Sequence, residues 1–178
     1  MIAIGSDHGG FAMKQEIMKH LDERGLSYKD YGTYTEDSCD YPVYGKAVAH
    51  AVADGECDSG IIICGTGIGI SISANKVPGI RAALCSDTFS AEMSRLHNDA
   101  NILALGARVL GPGLALKIVD TFLDQKKEDG FSVVVSHDDI KAKGYTLSAG
   151  QYFDVKIEYV PMTADEFKTS VSALSLAL

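Results

Sequence analysis

A chain of 178 residues, 46 % hydrophobic and 22 % charged, suits one ordinary globular domain with an appendage and is long enough to bury a core. No run approaches the roughly 20 apolar residues of a membrane span, and a net charge of −8 argues against a general nucleic-acid surface, which needs a basic face. The four cysteines, Cys39, Cys57, Cys64 and Cys85, form no CxxC pair and no zinc spacing with the five histidines, so free thiols in a reducing cytoplasm and no metal site are the simplest reading.

Residues 1–5 form a short apolar strand and lead into the turn Ser6-Asp7-His8-Gly9-Gly10, with no basic leader ahead of them. Phe11, Met13, Ile17, Met18 and Leu21 recur at helical spacing as far as Gly25, a plausible C-cap. Residues 26–31 read as a second strand and 32–41 as a polar loop. Pro42 then opens a helix through Val48, Ala49 and Val52 to Gly55. Ile61, Ile62 and Ile63 make a buried third strand that ends at Cys64.

After Cys64 come Gly65, Thr66, Gly67, Ile68 and Gly69, then a short helix over residues 71–75. Alternate glycines let backbone N–H groups turn toward one point, and the helix N-terminus favours an anion at the same place. Residues 80–85 form a fourth strand, Ser86 or Asp87 caps a helix reaching about His97, and residues 102–105 form a fifth strand. Leu114, Leu116, Ile118, Val119, Phe122 and Leu123 mark a last helix after Gly111-Pro112.

Five strands alternating with helices predict an α/β fold: a Rossmann-like three-layer sandwich whose five-stranded parallel sheet is covered on both faces. Ligands bind such sheets beyond the carboxyl ends of the strands. That rule brings Asp7-His8, the 64–69 loop and Asp87 to one edge. His97-Asn98, at the far end of their helix, should face away from their own subunit's site. The character changes near residue 129, giving a domain over 1–129 and an extension over 130–178. The extension holds four lysines and no arginine. In it, residues 138–140 open a turn of helix, 151–161 alternate loosely as a strand would, and a last helix starts at Ala164.

Each chemical group has a plain reading beside the functional one. Cys64 is either a small buried hydrophobe or a base and nucleophile; a free thiol, with a pKa of about 8.5, needs help to ionise at neutral pH. Asp7-His8 suits proton shuttling or a grip on sugar hydroxyls, though a turn aspartate also caps helices. Arg108 follows strand five, where a guanidinium could hold phosphate or join a surface ion pair. His20, His50 and His137, like the other three cysteines, are read as carrying no chemistry. Asp87, about 20 residues beyond the glycine loop, is where a ribose-binding acid would sit, but the glycines run G-x-G-x-G and lie in the third βα unit. A dinucleotide module therefore ranks second on internal evidence.

The segments GSDHGGFAMK, DYGTYTEDSCDYP, GECDSGIIICGTGIGISISANKVPGIRAAL and SRLHNDANILALGARVLG together resemble the type B ribose-5-phosphate isomerases. That family also holds galactose-6-phosphate isomerase subunits, and the likeness covers residues 1–125. The resemblance implies aldose–ketose isomerisation of ribose 5-phosphate and ribulose 5-phosphate through an enediolate, a step of the pentose phosphate pathway, without a cofactor. It makes Cys64 the base, Gly65, Thr66, Gly67, Ile68 and Gly69 the anion hole, and His97 the opener of the sugar ring, with Asp7 and Thr66 as helpers. His8 and Arg108 match phosphate contacts, Asn98 a contact to substrate oxygens, and Tyr41 a further substrate contact. His97 and Asn98 would come from the second subunit of a homodimer, which answers the geometric objection.

The family's R-H-x-x-R motif after the last helix is missing, and no arginine follows Arg108. In its place stands a tail similar to the carboxyl end of type I restriction-modification methyltransferase subunits, without their catalytic motifs, so no methylation is implied. Galactose 6-phosphate or allose 6-phosphate as substrate, or a sugar-phosphate-binding or assembly role with little turnover, are the alternatives. No nucleic-acid or membrane partner is expected.

Overall fold

The structure, a computed structural model, describes residues 1–125, 135–146 and 152. Its contacts divide into two compact units, Met1–Val134 and Val135–Leu178.

The first unit carries strands β1 (Ile2–Ser6), β2 (Tyr28–Asp30), β3 (Ser59–Cys64), β4 (Ala82–Leu84) and β5 (Ile102–Gly106). They form one parallel sheet in the order β2-β1-β3-β5-β4. Between and after them run helices α1 (Phe11–Glu23), α2 (Tyr41–Ala53), α3 (Ile68–Ala74), α4 (Thr88–Leu96) and α5 (Pro112–Asp124). This is the α/β sandwich that the alternation of apolar runs predicts.

The two-residue strand period decides what each face buries. Ile4, Ile61, Ile63, Leu103 and Leu105 point to the layer of α1, α4 and α5, where Ile17, Leu21, Ile118 and Phe122 meet them. Ala3, Ile62, Cys64, Ile102 and Ala104 point the other way, against Val48 and Ala49 of α2 and Ile70 and Ala74 of α3. Helices α1 and α3, which follow the neighbouring strands β1 and β3, thus leave on opposite faces. That divergence opens a crevice beyond the carboxyl ends of β1 and β3, where α/β sheets bind ligands.

Two strands are shorter than the sequence pattern suggests. The patterns over 26–31 and 80–85 shrink to Tyr28–Asp30 and Ala82–Leu84, because both lie at sheet edges and have one neighbour to pair with. The helix after the glycine loop is longer, beginning at Ile68 and not at Ser71. Gly67, at φ 76°, turns the chain so that the helix starts at once. No helix among the described residues is long and apolar enough to cross a membrane.

In the second unit, α6 (His137–Ala142) starts at a capping box in which the Ser136 and Asp139 side chains each accept from the other's backbone amide. The strand expected over 151–161 and the helix expected from Ala164 lie outside the described residues.

Candidate active site

Beyond β1 and β3 a cleft of about 270 Å³ is lined by Asp7, His8, Gly9, Tyr41, Cys64, Gly65, Thr66, Gly69 and Arg108. Its size lies just under the roughly 300–1,000 Å³ of drug-sized ligand sites and suits a small metabolite. A larger hollow of about 530 Å³ lies on the outside of α4 and α5. Its lining, which includes Glu92, Lys117, Asp120 and Asp124, gathers no chemically matched set, so volume alone is a poor guide here.

Cys64 ends β3 and is 5 % exposed, with its side chain at the floor of the cleft. The Gly67 amide donates to Cys64 Sγ at 3.1 Å. Gly67 itself holds φ 76°, a conformation that L side chains rarely adopt. A Cβ at Gly67 would also lie 2.4 Å from Leu84 Cδ1 and 2.9 Å from the Leu105 carbonyl carbon. The loop amides therefore do not all converge on one empty point. Gly67 serves the sulfur, and Ile68 donates to Thr66 Oγ1 at 3.3 Å. The amides of Gly65, Thr66 and Gly69 have no partner among the described residues.

The walls come from the other loops. The Ala107 and Arg108 amides donate to the carbonyls of Cys64 and Gly65, both at 2.9 Å, which seats the β5 turn against the glycine loop. The Arg108 side chain then runs along Gly65, with Cδ 3.5 Å from where a Cβ would stand. Arg108 is exposed and joins no ion pair among the described residues. Tyr41, at the start of α2, lays its ring on the main chain of Gly69; a Cβ there would lie 2.7 Å from Tyr41 Cζ.

Asp7 is 6 % exposed and accepts the Gly10 amide at Oδ1, 3.0 Å away, so the capping role is real. The second carboxylate oxygen has no hydrogen-bond partner among the described residues. His8 Nδ1 accepts the Cys39 amide at 3.1 Å. A ring nitrogen that accepts carries no proton, so the neutral ring bears its proton on Nε2.

Five residues singled out in the sequence do not line this cleft: Gly67 and Ile68, whose amides serve Cys64 Sγ and Thr66 Oγ1, and Asp87, His97 and Asn98. Asp87 follows β4, but its carboxylate caps α4 by accepting the Ser90 amide at 2.7 Å and the Ser90 hydroxyl at 2.8 Å. His97 is the C-cap of α4. Asn98 borders a separate hollow with Asn75, Arg81 and Ser94. Among the histidines set aside, His20 meets Asp120 at 2.7 Å between α1 and α5. Cys85 is buried, and burial pushes its thiol up from the ordinary range. The sequence reading missed the part of Gly9 and of the Cys39 amide. A doubled glycine after Asp7-His8 hints at the first, but a backbone donor has no side-chain signature.

The fold and the cleft define an α/β enzyme that handles a small polar metabolite. The family described as Ribose/Galactose Isomerase matches residues 2–136, and the chain belongs to it; it is an aldose–ketose isomerase, an intramolecular oxidoreductase. It is 56 % identical over 129 residues to ribose-5-phosphate isomerase B of Escherichia coli K12, covering 72 % of this chain and 87 % of that one. It is 47 % identical over 132 residues to a D-erythrulose-4-phosphate isomerase of Pectobacterium atrosepticum, covering 74 % and 87 %. The solved structure of Clostridium thermocellum ribose-5-phosphate isomerase B superposes with a TM-score of 0.72 at 60 % identity, covering 72 % of this chain and 87 % of that chain.

Proposed function

We propose that the chain interconverts ribose 5-phosphate and ribulose 5-phosphate through an enediolate, with Cys64 as the proton-transfer base. The observation that carries this reading is the Cys64 sulfur on the cleft floor with the Gly67 amide 3.1 Å away. The thiolate takes the proton from C2 of the open-chain aldose. The C–H electrons form the C1=C2 bond, and the carbonyl pair moves onto O1. The proton on O2 passes to O1, the thiol returns its proton to C1, and the carbonyl stands at C2.

Negative charge grows on the two oxygens midway, and preorganised donors lower that barrier. The partner-free amides of Gly65 and Thr66 fit that need, with Gly69 and the start of α3 behind them. Because Thr66 Oγ1 already accepts from Ile68, its own O–H is left to donate to a substrate oxygen. The uncommitted Asp7 oxygen handles the ring-oxygen proton. His8, through Nε2–H, and Arg108 hold the phosphate, and Tyr41 walls the sugar. His97, as ring opener, and Asn98 reach the cleft from a second subunit. The enzyme is accordingly a cytoplasmic homodimer with shared sites, and residues 130–178 are an extension to an isomerase domain over 1–129.

The test is ketose formation from ribose 5-phosphate by the purified chain and by Cys64→Ala. Loss of a general base costs about 10²–10⁴ in rate, and equal rates would sink the catalytic claim. The absence of any arginine after Arg108 favours a second reading, with another sugar phosphate as substrate or with binding and little turnover. Comparing kcat/KM for ribose 5-phosphate, galactose 6-phosphate and allose 6-phosphate separates these. A dinucleotide is disfavoured by the cleft's size and by the use of Asp87 as a cap, and an NAD-induced thermal shift would reinstate it.

A further inference from the structure

Lys14 has no solvent exposure, yet it lies in α1 of a sheet-facing core. An ammonium in such a place is costly unless every proton finds an acceptor. All three do: Asp30 Oδ1 and Oδ2 each lie at 2.7 Å and the Thr33 carbonyl at 2.6 Å. Asp30 Oδ1 also accepts the Gly32 amide at 2.8 Å. The same short stretch is bound to the last residue of β1, Ser6, whose amide donates to the Gly32 carbonyl at 2.6 Å and whose carbonyl accepts from Thr33 at 2.7 Å. The ammonium thus clamps the chain leaving β2 onto the residue that directly precedes Asp7-His8.

That chain continues to Cys39, whose amide donates to His8 Nδ1 at 3.1 Å. The segment from Asp30 to Cys39 is therefore fixed at one end by Lys14 and touches the cleft at the other through His8. A neutral imidazole has two tautomers, and the hydrogen bond to one nitrogen selects which proton the other presents. We infer that Lys14 is a positioning residue for the sugar-phosphate site: its hold on Asp30 and Thr33 seats the segment whose Cys39 amide fixes the tautomer and orientation of His8. This rests on the proposed reading of His8 as a phosphate contact. The chemistry served is recognition of a phosphate monoester by a single Nε2–H donor beside Arg108.

The decisive variant is Lys14→Met, which keeps length and apolar stem while removing the charge. Two readouts are taken: steady-state kinetics with ribose 5-phosphate, and the ¹⁵N spectrum of the His8 ring, assigned by its loss in His8→Gln. The wild type shows an unprotonated Nδ1 and a protonated Nε2. In Lys14→Met the His8 signals move toward a mixture of tautomers. KM rises about ten-fold, the equivalent of one charge-assisted hydrogen bond, while kcat changes little. Cys39→Pro, which removes the amide proton that His8 accepts, reproduces both changes. If Lys14→Met does not accumulate in folded form, Asp30→Asn replaces it, since it keeps the shape and one acceptor oxygen but weakens the clamp. A wild-type His8 spectrum and unchanged KM in the folded clamp variant would overturn the inference. An unchanged KM in His8→Gln would instead overturn the reading of His8 on which it rests.

Discussion

Cys64 and Gly67 act as one unit at the scale of single residues. The Gly67 amide donates to the sulfur, and Gly67 holds a left-handed backbone in which an L side chain is strained by about 1–2 kcal/mol. Contact with Leu84 and Leu105 adds to that cost. Gly67→Ala is therefore expected to lower stability by at least about 1–2 kcal/mol in denaturant titration. It should lower kcat as well, because relieving those contacts shifts the loop that holds the amide on the sulfur. A variant with native stability and native rate would show that the turn tolerates a Cβ and that the contact has no catalytic use. How much of the site a sequence exposes also follows from this pair. Cys64 in a glycine loop is conspicuous, because thiols and glycines are chemically distinct. The direction of the Gly67 amide is set by the backbone angles of the residues before it, which no composition reports.

Helix α4 shows the same division at the scale of elements. Its start is legible, since Asp87 is a good N-cap residue and it accepts from Ser90. The Ser90 amide, then its hydroxyl, hold the Asp87 carboxyl below the usual carboxylate range. A depressed carboxylate contributes stability above its unfolded pKa and loses it as pH falls through the lower folded value. The cap should be intact at neutral pH and lost in acid, as pH falls below the ordinary aspartate range and through the lower folded value. Asp87→Asn, which keeps an acceptor but no charge, is expected to flatten the acid limb of a Tm-against-pH curve while leaving the neutral fold unchanged. An identical acid limb in both proteins would remove the linkage. The far end of α4 was harder to place. His97 is the C-cap of α4 and does not line the cleft. The edge strands β2 and β4 were overextended for a related reason, as an apolar pattern says what is buried but not how many neighbours will pair.

For the whole molecule, the proposed shared site turns on residues that one chain keeps apart. Asp7, His8, Cys64, Thr66 and Arg108 line one cleft, whereas Asn98 borders a different hollow and His97 ends α4. A shared site makes a sharp prediction. Cys64→Ala and His97→Gln subunits, each inactive alone, should regain activity when dissociated and reassociated together, because each mixed dimer then holds one site with neither lesion. No recovery, despite proof that mixed dimers form, would confine the site to a single protomer.

The sequence by itself determined the layered fold and the family, because apolar period and glycine placement encode which faces are buried and where the chain turns. It also marked Cys64, Asp7-His8 and Arg108 as groups with chemistry. Only the tertiary structure decided which of these share a cleft, because that depends on α1 and α3 leaving neighbouring strands on opposite faces. The tertiary structure alone also revealed Lys14, a lysine in the middle of an ordinary amphipathic pattern. Its burial and its three acceptors come from β2 and the loop after it, and such long-range partners leave no mark in the local sequence.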